Sequence, residues 1–110
     1  MREGREFIED QIRYLLDKDA DALIDNQYNE HATLVTPNVV VRGRDDLKRY
    51  FHGYIEALGH LELVSMDKFV ETGDTILFEA TVRSQLGEAR VYDALVLSEG
   101  KIDYHFAGVM

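Results

Sequence analysis

One carboxylate in this sequence stands where a charge is costly. Asp93 lies in the run of residues 91–97, whose mostly apolar side chains are typical of a buried β-strand. An isolated carboxylate in an apolar interior either finds a partner or takes up a proton. Either outcome predicts a polar site inside the domain that can serve acid–base chemistry. The simpler alternative is a structural Asp that caps a bulge or faces solvent from an edge strand.

The turn that follows this strand decides whether His105 is the partner of Asp93. A three-residue hairpin loop at 98–100 would place Gly100 in the left-handed third position and set Asp93 directly opposite His105. Opposed Cβ atoms on one sheet face lie about 5 Å apart, so a hydrogen bond is within reach. That pair would orient a neutral imidazole as a general base, or only satisfy both groups. A two-residue loop would set Asp93 opposite Phe106 and turn His105 away; we predict the three-residue register.

The composition argues against some classes of function. A chain of 110 residues is sufficient for one domain with a single core, so we treat residues 1–110 as one domain. The formal net charge of −9 and the scattered Lys and Arg residues argue against nucleic-acid binding. No apolar run is long enough to span a bilayer, so no membrane partner is predicted.

The remaining composition concerns compartment and cofactors. The sequence has no cysteine, and residues 1–6 are too polar to open a signal peptide, so a cytoplasmic location is expected. His31, His52 and His60 are scattered and show no metal-ligand spacing. We therefore predict no metal and no other cofactor.

The first half of the chain shows helical periodicity, followed by two short β-like runs. A first amphipathic helix is predicted over about residues 3–17, and Asp19 can cap a short second helix. Two β-like runs follow at 31–35 and 38–41, separated by Pro37, which belongs at a turn or a strand edge.

The second half of the chain begins with the strongest helix and continues with strands. Gly43 precedes this helix and Gly59 fits its C-terminal cap. Its apolar face consists of Leu47, Tyr50, Phe51, Tyr54, Ile55 and Leu58. Four β segments follow, at about 60–72, 75–85, 88–98 and 101–110. The predicted fold class is α+β: about three helices packed on one face of a curved, mostly antiparallel sheet.

The order of these elements resembles that of a known superfamily. Together with Pro37 and the segment Val-Arg-Gly-Arg-Asp-Asp-Leu at 41–47, this order resembles the nuclear transport factor 2-like superfamily. The segment 93–105, with its inward polar residue, Gly-Lys-Ile turn and His-bearing last strand, is similar to the SnoaL-like branch. The resemblance implies a cystatin-like cone with a small-molecule pocket on the concave, helix-covered face. It also implies a homodimer through the outer sheet face.

Within the superfamily, the ketosteroid isomerases offer the most useful comparison. The resemblance implies that Tyr14 stands where those enzymes have a helix tyrosine that donates to the substrate oxygen. Asp93 stands where they have a late-strand acid. Thr36, which precedes Pro37, stands where they have an Asp base, and Ala107 stands where SnoaL cyclases often have a further Asp. The resemblance therefore implies a partial site.

The strand at 75–85 and the third helix complete the predicted pocket. Ile76, Phe78, Ala80 and Val82 alternate with Leu77, Glu79, Thr81 and Arg83 along that strand. The first set should line the cone, and the second should face solvent or a partner chain. The predicted ligand-binding residues are Tyr28, Thr36, Tyr50, Phe51, Tyr54 and Phe78.

Two functions of different classes follow. The first is a cofactor-free acid–base enzyme, of isomerase, dehydratase or hydratase type, acting on a small, largely apolar, oxygenated molecule. Tyr14 would donate to an oxygen, and Asp93 and His105 would supply acid and base. The second is a non-catalytic, dimeric ligand-binding or accessory domain of the same fold. A protein-docking module is a third alternative.

Overall fold

The computed structural model describes residues 4–110, which form three helices and six strands. In chain order they are α1 (Gly4–Leu16), α2 (Ala20–Gln27), β1 (Tyr28–Val35), β2 (Val40–Arg42), α3 (Arg44–Leu58), β3 (Leu61–Glu71), β4 (Thr75–Ser84), β5 (Gly87–Ser98) and β6 (Lys101–Val109). The predicted start of the first helix at Glu3 lies outside the described residues.

Local sequence signals mark the start of α2 and the end of α3. The Asp19 carboxylate accepts a hydrogen bond from the backbone N–H of Ala22 at 3.1 Å, which satisfies a free donor at the start of α2. At the end of α3, Gly59 adopts φ = 69° and its N–H donates to the Ile55 carbonyl. A left-handed φ favours glycine because it has no Cβ, so the predicted cap is confirmed.

The strands form one sheet in the order β2-β1-β6-β5-β4-β3. The antiparallel succession from β3 to β6 confirms the predicted meander. Strand β1 inserts parallel to β6, while β2 pairs antiparallel with β1 at the edge. Parallel neighbours need a long crossover connection, which the chain between β1 and β6 provides.

The core lies between the helices and one face of this sheet. Its helical side is formed by Phe7, Ile8, Leu23, Ile24, Leu47 and Phe51, and its sheet side by Leu34, Ile76, Phe78, Ala80, Leu95 and Ile102. Burying one such large side chain is favourable by about 1.5–3 kcal/mol, so this interface holds the helices on the sheet. Within residues 4–110, no helix is long and apolar enough to cross a membrane.

The hairpin between β5 and β6 differs from the prediction. Ser98 pairs with Lys101, so the loop consists of two residues, Glu99 and Gly100, with φ = 54° and 80°. Two successive positive φ values match the right-handed twist of the flanking strands. The predicted three-residue loop was therefore wrong.

A bulge in β6 then shifts the register by one residue. Leu97 pairs with Ile102, but Val96 pairs with Tyr104, so Asp103 is an extra residue in β6. Asn29 of the neighbouring strand β1 donates to the Asp103 carboxylate at 2.6 Å. This contact connects the bulge to β1, whose parallel pairing the sequence did not predict.

The shifted register decides which residues face one another. Asp93 pairs with Ala107, and His105 pairs with Leu95, so the predicted direct opposition of Asp93 and His105 was wrong. Because side chains alternate between faces along a strand, the extra residue returns His105 to the face that bears Asp93. The two side chains are diagonal neighbours on the helix-covered face.

Candidate functional site

A cavity of about 450 Å³ lies between α1, α3 and the inner face of the sheet. Its walls are mainly apolar and include Ile12, Leu34, Phe51, Met66, Phe78 and Val82. The polar side chains at its surface include Gln11, Thr36, Asn38, Tyr50, Tyr54 and Asp93. Among the described residues that line it, Asp93 is the only Asp, Glu, Lys or Arg. An apolar pocket with a few convergent polar groups is the usual form of a small-molecule site.

Asp93 and His105 form the central contact of this site. His105 Nε2 lies 2.6 Å from Asp93 Oδ1, within the range of charge-assisted hydrogen bonds. The His105 side chain is 6% exposed and that of Asp93 is 17% exposed. The imidazole therefore lies behind the carboxylate, and the carboxylate is the more accessible of the two.

The Tyr28 hydroxyl contacts the other ring nitrogen of His105. The Tyr28 side chain is fully buried, and its Oη lies 2.8 Å from His105 Nδ1. Gln11 Nε2 donates to the same hydroxyl at 3.5 Å. Burial, and then the negative charge of Asp93, raise the pKa of Tyr28 well above its usual range. Tyr28 therefore remains a neutral phenol beneath the cavity.

The hydrogen-bond partners of Tyr28 and His105 favour one placement of the hydrogens on the phenol and the imidazole. Because Gln11 donates to the Tyr28 oxygen, the phenol hydrogen is free to donate to His105 Nδ1. That leaves Nε2 to carry the imidazole hydrogen and donate to the Asp93 carboxylate. In this pattern His105 Nε2 donates to the Asp93 carboxylate, and the Tyr28 hydroxyl orients the ring from its other side.

Asp93 is the group that this arrangement offers to a ligand. Both ring nitrogens of His105 are engaged, so His105 has no free nitrogen with which to take a proton from a bound molecule. Asp93 lines the cavity, and its second oxygen, Oδ2, makes no hydrogen bond within residues 4–110. Its neighbours across the sheet are Phe78 on one side and the small Ala107 on the other, and both line the same cavity.

Aromatic side chains of α3 form the opposite wall. Tyr50 and Tyr54 are stacked with ring centroids 6.2 Å apart, and Phe51 meets Tyr50 edge-on at 5.4 Å. Burial, with a contribution from the negative charge of Asp93, raises the pKa of Tyr54 to about 12. Burial also raises the pKa of Tyr50. Both phenols are therefore protonated at neutral pH and can donate hydrogen bonds.

Tyr14 and Thr36 do not present free polar groups to the cavity. Tyr14 packs against the core with the Arg13 guanidinium 5.3 Å from its ring centre, and it is not among the described residues that line the cavity. Thr36 does line it, but its hydroxyl accepts hydrogen bonds from the backbone N–H groups of Asn38 and Val39. That hydroxyl stabilises the turn between β1 and β2.

Gln11 is the polar residue that α1 contributes instead of Tyr14, and the sequence interpretation missed it. It is 6% exposed, lines the cavity and donates to Tyr28. Its position four residues after Phe7 and four before Leu15 puts it on the apolar helix face, which was the available signal. Tyr28, predicted to contact ligand, lies behind His105 and is not among the described lining residues.

The site has no cluster of metal ligands. Within residues 4–110, no three His, Asp or Glu side chains lie close enough together to hold a metal ion.

Comparison with known proteins shows which solved structures share this fold. No protein-family model and no curated protein matches the sequence. Among solved structures, a nuclear transport factor 2-like protein from Cytophaga hutchinsonii has a TM-score of 0.76 at 17% identity, covering 100% of this chain and 92% of its own. A cystatin-fold protein from Novosphingobium aromaticivorans has a TM-score of 0.81 at 10% identity, with coverage of 98% and 99%.

A third structure carries a functional description. A candidate polyketide cyclase from Sinorhizobium meliloti has a TM-score of 0.76 at 15% identity, covering 90% of this chain and 94% of its own. At such identities the likeness concerns the fold alone. With three helices packed on an open, mostly antiparallel six-stranded sheet, this chain has the nuclear transport factor 2-like fold.

Proposed function

We propose that this protein binds a small, largely apolar molecule in the cavity between its helices and sheet. The observation that carries the proposal is a cavity of about 450 Å³ in which one carboxylate oxygen of Asp93 has no hydrogen-bond partner within residues 4–110. The description of the structural neighbour from Sinorhizobium meliloti as a candidate polyketide cyclase supports a small-molecule ligand. A ligand would bury its apolar body against the aromatic wall and direct a polar group to Asp93.

A fluorescent probe tests the binding function. N-phenyl-1-naphthylamine is neutral and apolar, and its emission rises when it leaves water. Ala107→Phe should abolish the rise, because the new ring fills the space beside Asp93. Ala57→Phe is the matched control, since Ala57 is exposed on α3, does not line the cavity and lies outside the outer face of the sheet. Unchanged probe binding in the Ala107→Phe protein would contradict the proposal.

We propose acid–base catalysis as a second function of the same site. Asp93 would take a proton from the ligand and return it, while His105 and Tyr28 hold the carboxylate in position through their chain of hydrogen bonds. The Tyr54 hydroxyl, protonated at neutral pH, would donate to a ligand oxygen. A single base is sufficient for an isomerisation, which suits a site where Thr36 and Ala107 replace the family's other carboxylates.

Isotope incorporation separates the catalyst from the simple binder. Metabolite extracts would be incubated with the protein in deuterium oxide and analysed by mass spectrometry. A proton-transfer enzyme should introduce deuterium at carbon in at least one compound, and Asp93→Asn should abolish that incorporation. If wild-type protein incorporates no deuterium although it binds the fluorescent probe, the non-catalytic binding domain is the correct alternative.

We also propose that the protein forms a homodimer through the outer face of its sheet. One apolar row crosses all six strands there and is covered by no helix of residues 4–110. It consists of Val40, Val35, Phe106, Ala94, Leu77 and Val70, which are successive cross-strand partners. Phe106 is 40% exposed and Val70 is 48% exposed. A contiguous apolar patch of this kind is typical of an interaction surface.

A further inference from the structure

We propose that the ligand of this cavity carries a positive charge, as a protonated amine on an apolar body. The inference rests on the proposed ligand-binding function, and it names the chemical class of the ligand. It concerns binding and is separate from the proposed catalysis, since an ammonium group on the free Asp93 oxygen would occupy the atom that takes the proton. Three features of the cavity support it: its charge balance, the surroundings of Asp93 and the space beside that residue.

The charge balance of the cavity is negative. Asp93 is the only Asp, Glu, Lys or Arg among the described lining residues, and both ring nitrogens of its partner His105 are engaged by Asp93 and Tyr28 rather than offered to a ligand. No Lys or Arg within residues 4–110 lines the cavity to compensate the carboxylate. An anionic ligand would be repelled at short range in a mainly apolar site, and it would find no Lys or Arg to bind among the described lining residues.

The surroundings of Asp93 are those of a cation site. Phe78 is the direct cross-strand partner of Asp93, so the two Cβ atoms are about 5 Å apart on one face. A cation on the free carboxylate oxygen would therefore also lie near an aromatic ring, whose face attracts positive charge. Tyr50 and Tyr54 present two further stacked rings from α3. An ammonium group gains from the carboxylate and the rings together, whereas a neutral hydroxyl gains only a hydrogen bond.

Space for that group exists beside the carboxylate. Ala107, the partner of Asp93 on the other side, lines the cavity and has only a methyl side chain. The remaining wall, which includes Met66 and Val82, is apolar and suits a hydrocarbon body. The predicted ligand is thus an amphiphilic amine with its charged end at Asp93.

A matched set of probes tests the inference by isothermal titration calorimetry at neutral pH. Adamantan-1-amine, adamantan-1-ol and adamantane-1-carboxylate share one rigid apolar body and differ in the charge of the polar group. The amine should bind at least tenfold more tightly than the alcohol, and the carboxylate should bind most weakly. In Asp93→Asn the preference of amine over alcohol should fall at least tenfold. Asp17→Asn, an exposed position outside the cavity, removes one negative charge elsewhere and should leave the preference unchanged.

The outcomes distinguish this inference from the proposed function. If the alcohol binds as tightly as the amine, or if the amine preference survives in Asp93→Asn, the charge inference is wrong while ligand binding stands. If none of the three compounds binds but the neutral fluorescent probe does, the inference is overturned and the proposed function is retained. The wild-type order of affinities decides the question even if Asp93→Asn fails to fold.

Discussion

His105 Nε2 lies 2.6 Å from Asp93 Oδ1 although the two residues are not paired across the β5–β6 hairpin. The two-residue turn alone would direct His105 to the outer face. The extra residue Asp103 shifts the register by one and returns the imidazole to the cavity side. The central contact of the site therefore depends on a bulge that lies outside the cavity.

Deletion of Asp103 should break this contact. Removing the extra residue leaves the two-residue turn to set the register, so His105 would face outward and Asp93 would lose its partner. Nitrogen-15 NMR of the imidazole should show loss of the hydrogen-bonded Nε2–H signal. Asp103→Ala is the matched control, because it retains the residue count and should retain the signal. Survival of the signal in the deletion protein would contradict the role of the bulge.

Tyr28→Phe should destabilise the protein by about 1–3 kcal/mol, the usual cost of a buried polar group left without a partner. The change removes the hydroxyl that lies 2.8 Å from His105 Nδ1, in a fully buried position. Urea unfolding with a fixed m-value would measure the loss. Tyr104→Phe, on the exposed outer face, should change the unfolding free energy by less than about 0.5 kcal/mol. Equal effects of the two substitutions would argue against the buried network.

Alkaline pH should destabilise the fold through Tyr54. Its folded-state pKa is raised from 10.0 to about 12, so the folded protein holds the proton more tightly than the unfolded chain does. The resulting stability is fully present below pH 10 and is lost as the pH rises toward 12. Phenolate absorbance should show a phenol that titrates near pH 12 in wild-type protein and is missing in Tyr54→Phe. Tyr104→Phe should leave that transition in place, and its disappearance there would refute the assignment to Tyr54.

Leu77→Glu should weaken the proposed dimer at least tenfold. Leu77 is 37% exposed and lies between Ala94 and Val70 in the outer apolar row, where a carboxylate would be desolvated on association. Leu86→Glu makes the same chemical change at a turn residue that is 73% exposed and lies outside the row. Sedimentation equilibrium should show a raised dissociation constant for the first variant only. A wild-type protein that stays monomeric at micromolar concentration would exclude the dimer.

Local signals explain why much of the fold was predictable. Asp19 and Gly59 mark helix ends through their own hydrogen bonds and backbone freedom, and the alternation of Phe78 and Ala80 with polar neighbours marks a buried strand face. These effects act over a few residues and need no knowledge of distant contacts. Asp93 was recognisable for the same reason, since a charge within an apolar strand is a local anomaly.

The assembly of the site depended on contacts between residues distant in the sequence. Tyr28 and His105 are separated by 77 residues and meet because β1 inserts parallel to β6. Gln11 displaced Tyr14 as the α1 contribution because the packing angle of the helix selects which side chain reaches the cavity. Neither fact can be obtained from local periodicity.

The sequence by itself determined the α+β class, the helix ends, the antiparallel meander and the anomalous charge at Asp93, because propensity and alternation act locally. Only the tertiary structure decided that Asp93 offers its free oxygen to a cavity while His105 and Tyr28 support it from behind. The physical reason is register: a one-residue bulge reverses the direction of every later side chain in a strand, and Asn29 on β1 contacts that bulge from a distant part of the chain.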